Sequence, residues 1–318
     1  MSGLDDKFAC SLLSNGPAAG YPGRHADSGI VPCDPAESLV IAIDTLVEGV
    51  HYRSGTRPQD VAWKALAVNL SDLAAMGASA NTVAVSLSTP ASAHGWRESF
   101  RRGLESAAGE FSVRVIAATV STGPGVVTME VCGSIPRGLA LTRCGAQAGD
   151  AVYVTGTLGD AGLGLRIAQE NFGVSNADAE FLMARLERPT PRLAAGRALR
   201  GLASAAIDIS DGLAGDLGHI LVASGAGARI DVEKLPQSAQ LRNNTTEADG
   251  YRLATSAGDD YELCFTVPQG RQAALEAARP DLGVDFTRIG VIEHRPGLRF
   301  VLDNGDPFDA GAAFDHFT

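Results

Sequence analysis

Short apolar runs rich in β-branched residues alternate along this chain with stretches of helix formers, and carboxylates repeatedly stand where one gives way to the other. Strands separated by helices make a layered α+β or α/β structure and exclude an all-β one. The clearest junctions are Asn69-Leu70-Ser71-Asp72 before Gly77-Ala78, and Asp208-Ile209-Ser210-Asp211-Gly212 running on to Asp216. A third acidic run, Gly258-Asp259-Asp260-Tyr261-Glu262, follows a loop of small residues.

The first regular element is the apolar run Ser38 to Ile43, a buried strand with Asp44 at its end. Residues 60–76 hold good helix formers and close at Gly77, a suitable C′ glycine. That helix sets Asn69 and Asp72 three residues apart on one face. Strands follow at 82–88, 113–118 and 126–132, with a helix over 92–108. Beyond a boundary region at 138–150, the strand 151–155 runs into the Gly-rich turn Gly156-Thr157-Leu158-Gly159-Asp160 and a helix near Ala161. Helices are expected at 179–186, 192–202 and 271–278, and strands at 228–232, 262–267, 286–292 and 298–302. The strand 205–209 delivers Asp208, and Ser210 is expected to cap the helix running to Ala223. Residues 10–36 are rich in Gly, Pro, Ser and Ala and read as a long mobile segment.

With 318 residues the chain is long enough for two domains. Its formal charge of −11, from 26 basic and 37 acidic residues, excludes a nucleic-acid or anionic-membrane surface, which needs a basic footprint. No apolar run is long enough for a transmembrane helix, and Met1 to Lys7 lacks the pattern of a signal peptide. Cys10, Cys33, Cys132, Cys144 and Cys264 are odd in number and widely spaced, which fits reduced thiols in a cytoplasmic protein.

Magnesium takes oxygen ligands and is shared between one or two carboxylates and a nucleotide's phosphates. Aspartates from separate segments, without clustered His or Cys, favour such chemistry over a zinc site. A single Ser-Asp before a helix is more often an N-cap. Two such motifs joined by Asp44 and the Gly258 run, each beside Gly or Ala, point to Mg-nucleotide binding.

At Asp44-Thr45-Leu46-Val47-Glu48-Gly49-Val50-His51, followed by Asn69 to Ala78, the chain resembles the thiamine-monophosphate kinases. Further matching segments are Leu141 to Ala146, Gly149-Asp150 with Tyr153 to Asp160, Asp208 to Asp216, Gly258 to Leu263 and Phe314-Asp315-His316-Phe317. The resemblance runs from about Asp27 to the C-terminus. It implies transfer of the γ-phosphoryl group of ATP to thiamine monophosphate, with Mg²⁺, in a cytoplasmic homodimer. It also implies an α+β two-domain fold shared with aminoimidazole-ribonucleotide synthetase. In that fold an N-terminal α+β domain over 37–137 forms a β-barrel across the dimer and binds Mg-ATP. An α/β C-terminal domain over 138–318 covers the nucleotide cleft, and 1–36 remain a flexible segment. Carried over, Asp27, Asp44, Asp72, Asp208 and Asp211 match Mg ligands, Asp211 being the catalytic one. Arg143 and Ser210 match nucleotide contacts, while His51, Asp259 and Phe314 match positions near the thiamine substrate.

Three segments depart from the family pattern. Gly-Asp-Asp-Ala is replaced by Ala26-Asp27-Ser28-Gly29, the hydroxyls before the first strand's aspartate by Ala42 and Ile43, and a Gly-Gly-Asp-Thr loop by Ala117-Ala118-Thr119-Val120. Thr119 carries no charge, and the two added Cβ atoms narrow the approach of a phosphate. Two readings follow from the residues: a kinase with a rearranged metal set, or a homologue that keeps the fold and dimer without efficient transfer.

Overall fold

The computed structural model describes residues 31, 34–90, 92–170 and 173–311. Asp27, Ser28, Phe314 and nearly all of the expected mobile segment lie outside them. The chain divides into two units. The first runs up to Leu73 and resumes over Ala78–Gly138; the second takes Ala74–Gly77 and everything from Leu139 onward.

The first unit holds strands β1 (Glu37–Val47), β2 (Ser79–Thr89), β3 (Arg114–Thr122) and β4 (Val126–Pro136), with helix α2 (His94–Glu110) and most of helix α1 (Pro58–Ala75). Its sheet has the order β1-β4-β2-β3, with β2 and β3 parallel and the other neighbours antiparallel. Helix α1 buries Val61, Leu66, Val68, Leu70 and Leu73, so it is apolar around most of its circumference, as a helix inside a core must be. It stops where expected. Gly77 adopts φ +71°, its N–H donates to the Ala74 carbonyl at 2.9 Å, and that of Ala78 to the Leu73 carbonyl at 2.8 Å.

Two expectations are corrected in this unit. Strand β1 does not end before Asp44: its ladder with β4 continues through Asp44 opposite Met129 to Val47 opposite Val126. Nor is β1 buried on both faces. Leu39, Ile41 and Ile43, alternating along one face of this edge strand, are 42%, 55% and 64% exposed. An apolar run has the same composition whether its second face meets the protein's own core or something else, so periodicity could not separate the two.

The second unit is built on a six-stranded sheet of order β10-β7-β9-β5-β8-β6, formed by Gly297–Val301, Gly227–Asp231, Phe286–Glu293, Ala151–Thr155, Leu263–Val267 and Ala205–Asp208. The expected α/β character is only partial: β10 pairs with β7 in parallel, and every other pair is antiparallel. Both faces are covered. Val152, Val154, Ile207 and Cys264 point into a core completed by Leu213, Leu217 and Ile220, while Tyr153, Ala206, Leu263 and Phe265 point into another completed by Ala195, Leu199, Leu275 and Leu282. The strand period of two therefore assigns alternate residues to opposite cores.

The helices of this unit are α3 (Asp160–Glu170), α4 (Asn176–Glu187), α5 (Leu193–Ala198), α6 (Leu213–Ser224), α7 (Ala239–Asn244), α8 (Glu247–Ser256), α9 (Gln272–Ala277) and α10 (Arg279–Leu282). Helices α7 and α8 were not anticipated, although each has a sequence-visible start. The Ser238 side chain accepts from the Leu241 N–H, and that of Thr246 from the Asp249 N–H. No helix among the described residues is long and apolar enough to cross a membrane.

Candidate active site

The buried strand Ala205–Asp208 carries Asp208 to its end, and the chain then turns through Ile209, Ser210, Asp211 and Gly212 into α6. Ser210 does not cap this helix. The cap residue is Gly212, at φ +105°, with no side chain to offer. A carboxylate from inside the helix reaches back to the turn that precedes it: Asp216 Oδ2 accepts from the N–H groups of both Ser210 and Asp211, each at 3.0 Å. Asp216 is 3% exposed. Burial first, then the charge of Asp208 and that of Asp211, push its carboxyl up to about 7, although the two amides pull the other way. Sequence reasoning included Asp216 in a motif without giving it a task; the available signal was an acid in the first turn behind a glycine cap that offers no side-chain acceptor.

A second loop, Gly258 to Tyr261, is stitched to the first. The Asp259 N–H donates to the Ser210 carbonyl and the Tyr261 N–H to the Ile209 carbonyl, both at 2.8 Å. Gly258 permits this approach, since a Cβ there would lie 2.4 Å from the Ser210 carbonyl oxygen. Asp259 and Tyr261 adopt φ +66° and +49°, left-handed conformations that cost non-glycine residues on the order of 1–3 kcal/mol. The Tyr261 hydroxyl donates to Asp259 Oδ1 at 3.2 Å. Such strain persists only where the surroundings over-determine it, and it concentrates at functional sites.

The other acids of that run point inward. Asp260 accepts from the Gly159 N–H on both oxygens, at 3.0 and 2.9 Å, and burial raises its carboxyl well above the ordinary value. Glu262 accepts from Thr155 Oγ1 at 2.7 Å, Arg185 Nη2 at 2.9 Å and Arg192 Nε at 2.7 Å. Burial alone would raise Glu262; the hydrogen bond and charge of Arg192, with the charge of Arg185, outweigh it and hold the group below its usual range. Asp160 accepts from Thr157 Oγ1 at 2.6 Å and Ser238 Oγ at 2.5 Å. This polar network frames the Gly156–Asp160 turn against the Asp259 loop.

Of the expected site residues, the second unit thus brings together Asp208, Ser210, Asp211 and Asp259. Arg143 stands apart from them. It is exposed, and its carbonyl accepts from Ser224 Oγ at 3.3 Å. Ser224 ends α6 whereas Asp211 precedes its start, so the twelve residues of the helix, about 18 Å at 1.5 Å per residue, lie between the Arg143 backbone and the Asp211 turn.

In the first unit, Asp44 is exposed on β1, with Oδ1 accepting from the Thr45 N–H at 3.1 Å. His51 follows in the loop after β1; its Nδ1 accepts from the Val47 N–H at 3.1 Å, so a neutral ring carries its proton on Nε2. Asp72 is half-buried on α1. One turn away, Asn69 is 1% exposed; its Nδ2 donates to the Ala65 carbonyl at 2.8 Å, and its Oδ1 has no partner among the described residues. The Ala117 to Val120 segment, matched to a loop of the family although the strand was expected to reach Ala118, lies wholly inside β3, because β-branched residues extend the strand to Thr122. Thr119 is exposed there, opposite Ser86, and the register continues across the sheet through Thr128 to Thr45. The row is made of hydroxyls, with Thr45 and Thr128 bonded at 2.9 Å.

Among the described residues, no three His, Cys, Asp or Glu side chains converge into a ready-made metal centre. The donors present still fit magnesium, which asks for one or two carboxylates and completes its shell from phosphates and water. Asp208 ends its strand and Asp211 stands in the turn that follows, and on α1 the Asn69 Oδ1, a hard oxygen donor one turn from Asp72 in sequence, has no partner among the described residues.

Residues 25–135 match the AIR synthase related protein N-terminal domain, and residues 147–303 match its C-terminal domain. The chain is 44% identical to the thiamine-monophosphate kinase of Salmonella typhimurium over 294 residues, 92% of this chain and 90% of the relative. It is 45% identical to that of Escherichia coli K12 over 295 residues, with the same coverage. Among solved structures, a thiamine-monophosphate kinase from Stenotrophomonas maltophilia superimposes with TM-score 0.84 at 38% identity, covering 96% of each chain. The complex of AaThiL with AMPPCP and TMP superimposes with TM-score 0.79 at 30% identity, covering 91% of this chain and 90% of that one. A mixed α+β fold in two units, with carboxylates on paired loops, defines a two-domain AIR synthase-related protein. Within that class, the chain belongs to the thiamine-monophosphate kinase family.

Proposed function

We propose that this protein transfers the γ-phosphoryl group of ATP to thiamine monophosphate, forming thiamine diphosphate, as a cytoplasmic Mg²⁺-dependent kinase. The observation that carries this reading is the 44–45% identity to thiamine-monophosphate kinases over nine tenths of the chain. The relative that binds AMPPCP, an ATP analogue, together with TMP supports both substrates. The test is chromatographic detection of thiamine diphosphate after incubation of the purified protein with ATP, Mg²⁺ and thiamine monophosphate; folded protein yielding no product would refute it.

Phosphoryl transfer asks a protein for positioning and charge neutralisation rather than covalent chemistry. Bound Mg²⁺ would supply that neutralisation at the phosphates, held by Asp208 and Asp211 in the second unit and by Asp27, Asp44 and Asp72 in the first. Ser210 and Arg143 are assigned to the nucleotide, and His51, Asp259 and Phe314 to the thiamine substrate. His51 would act as a donor through Nε2, since its Nδ1 is occupied by Val47. Residues 37–137 form the dimerisation and Mg-ATP-binding domain in this reading, and 138–318 the domain that covers the nucleotide.

The metal set lacks oxygens at Ile43 and a carboxylate at Thr119. Because Thr119 is exposed on its strand, an aspartate fits there without repacking. Thr119→Asp is therefore expected to tighten Mg-dependent nucleotide binding, measured by nucleotide titration at fixed Mg²⁺; unchanged affinity would remove position 119 from the metal region.

The exposed face of β1 is assigned to a second copy of the chain, which would close a β-barrel over Leu39, Ile41 and Ile43. An uncovered apolar stripe on an edge strand invites association. Ile41→Glu should convert a dimer to a folded monomer in sedimentation equilibrium. A monomeric wild type at micromolar concentration would contradict the assignment.

A further inference from the structure

The peptide unit joining Ser210 to Asp211 is held at both of its polar ends. Its carbonyl, that of Ser210, accepts from the Asp259 N–H at 2.8 Å; its N–H, that of Asp211, donates to Asp216 Oδ2 at 3.0 Å. The same Oδ2 takes the preceding N–H of Ser210 at 3.0 Å, so one oxygen orients two consecutive peptides. On the downstream side stands Gly212 at φ +105°, the cap residue of α6, which has no side chain with which to restrain the turn. The acceptor comes from within the first turns of α6, is 3% exposed and reaches back over the cap.

We infer that Asp216 is a positioning residue for phosphoryl transfer, fixing the Ser210–Asp211 peptide so that the Asp211 carboxylate and Asp259 face the reacting phosphates in one register. The inference rests on the kinase reading for its consequence but not for its geometry. What the position needs is an acceptor oxygen at the site of Oδ2, since its partners are neutral amides. Asparagine supplies that oxygen at nearly the same volume, and alanine does not.

Asp216→Ala is expected to lower kcat about a hundredfold, the scale on which a misplacement near 1 Å acts, and to raise the Mg²⁺ concentration giving half-maximal rate. Asp216→Asn is expected to restore kcat to within about fivefold of wild type, because it keeps the acceptor. A merely structural role would lower thermal stability while leaving kcat per folded molecule and the Mg²⁺ requirement unmoved. Folded Asp216→Ala with wild-type kcat and Mg²⁺ dependence overturns the inference. If the alanine variant does not fold, a loss of tenfold or more in folded Asp216→Asn overturns it alone. Absence of product from the wild type would refute the kinase reading only. The clamp is then read by hydrogen exchange at the Ser210 and Asp211 amides in Asp216→Asn and Asp216→Ser: slow exchange retained in the first, and about tenfold faster exchange in the second, supports it. Equal exchange in both overturns it.

Discussion

Asp211→Asn is expected to cut thiamine diphosphate formation by about a hundredfold or more while leaving the melting temperature nearly unchanged. The asymmetry follows from where the residue sits. Asp211 is half-buried in the turn between β6 and α6, and its backbone N–H already has a partner in Asp216. The amide keeps the shape of the side chain and removes the charge on which a hard cation depends. Chromatographic turnover, read beside a thermal melt, checks both halves. Wild-type turnover would remove Asp211 from the metal set.

Glu262→Ala is expected to act in the opposite way, through stability. Glu262 is fully buried and takes hydrogen bonds from Thr155, Arg185 and Arg192. Removing one partner from a buried ionic group leaves the other charges uncompensated, which costs about 3–5 kcal/mol. Arg192 would lose its carboxylate partner, while Arg185 would keep only one carboxylate contact, the longer one of its Nε with Asp160 Oδ2 at 3.6 Å. Against a total stability of about 5–15 kcal/mol this is a large fraction, and it corresponds to a fall in Tm on the order of 10 °C for a unit of this size. Glu262→Gln should fall between the two, since it keeps acceptor capacity for Thr155. Urea unfolding measures the difference. A loss below about 1 kcal/mol would mean that the arginines find other partners and that the network does not hold the Asp259 loop.

These two residues show why the site was only partly legible. The spacing of aspartates and their small neighbours identified the Asp208 to Asp216 and Gly258 to Glu262 segments, because motif chemistry is local. It could not assign tasks within them. Asp259, Asp260 and Glu262 lie within four residues, yet Asp259 stands at the turn while the others turn into the core. The division depends on Gly159, Arg185 and Arg192, which are distant in sequence. Arg143 shows the converse: its motif is recognisable, but the structure sets its backbone beside Ser224, at the opposite end of α6 from Asp211.

By itself the sequence determined the alternation of most strands and helices, the stop of α1 at Gly77, the delivery of Asp208 at a strand end and the family to which the motifs belong. Each of these is set by side-chain periodicity, backbone propensity or residues adjacent in the chain. Only the tertiary structure decided that Asp216 and not Ser210 holds the turn, that Asp259 and Tyr261 sit in left-handed conformations, and that one face of β1 stays uncovered. Those outcomes rest on hydrogen bonds and burial between segments far apart in sequence, where a carboxylate, a strained φ or an apolar face acquires its role from the group that meets it.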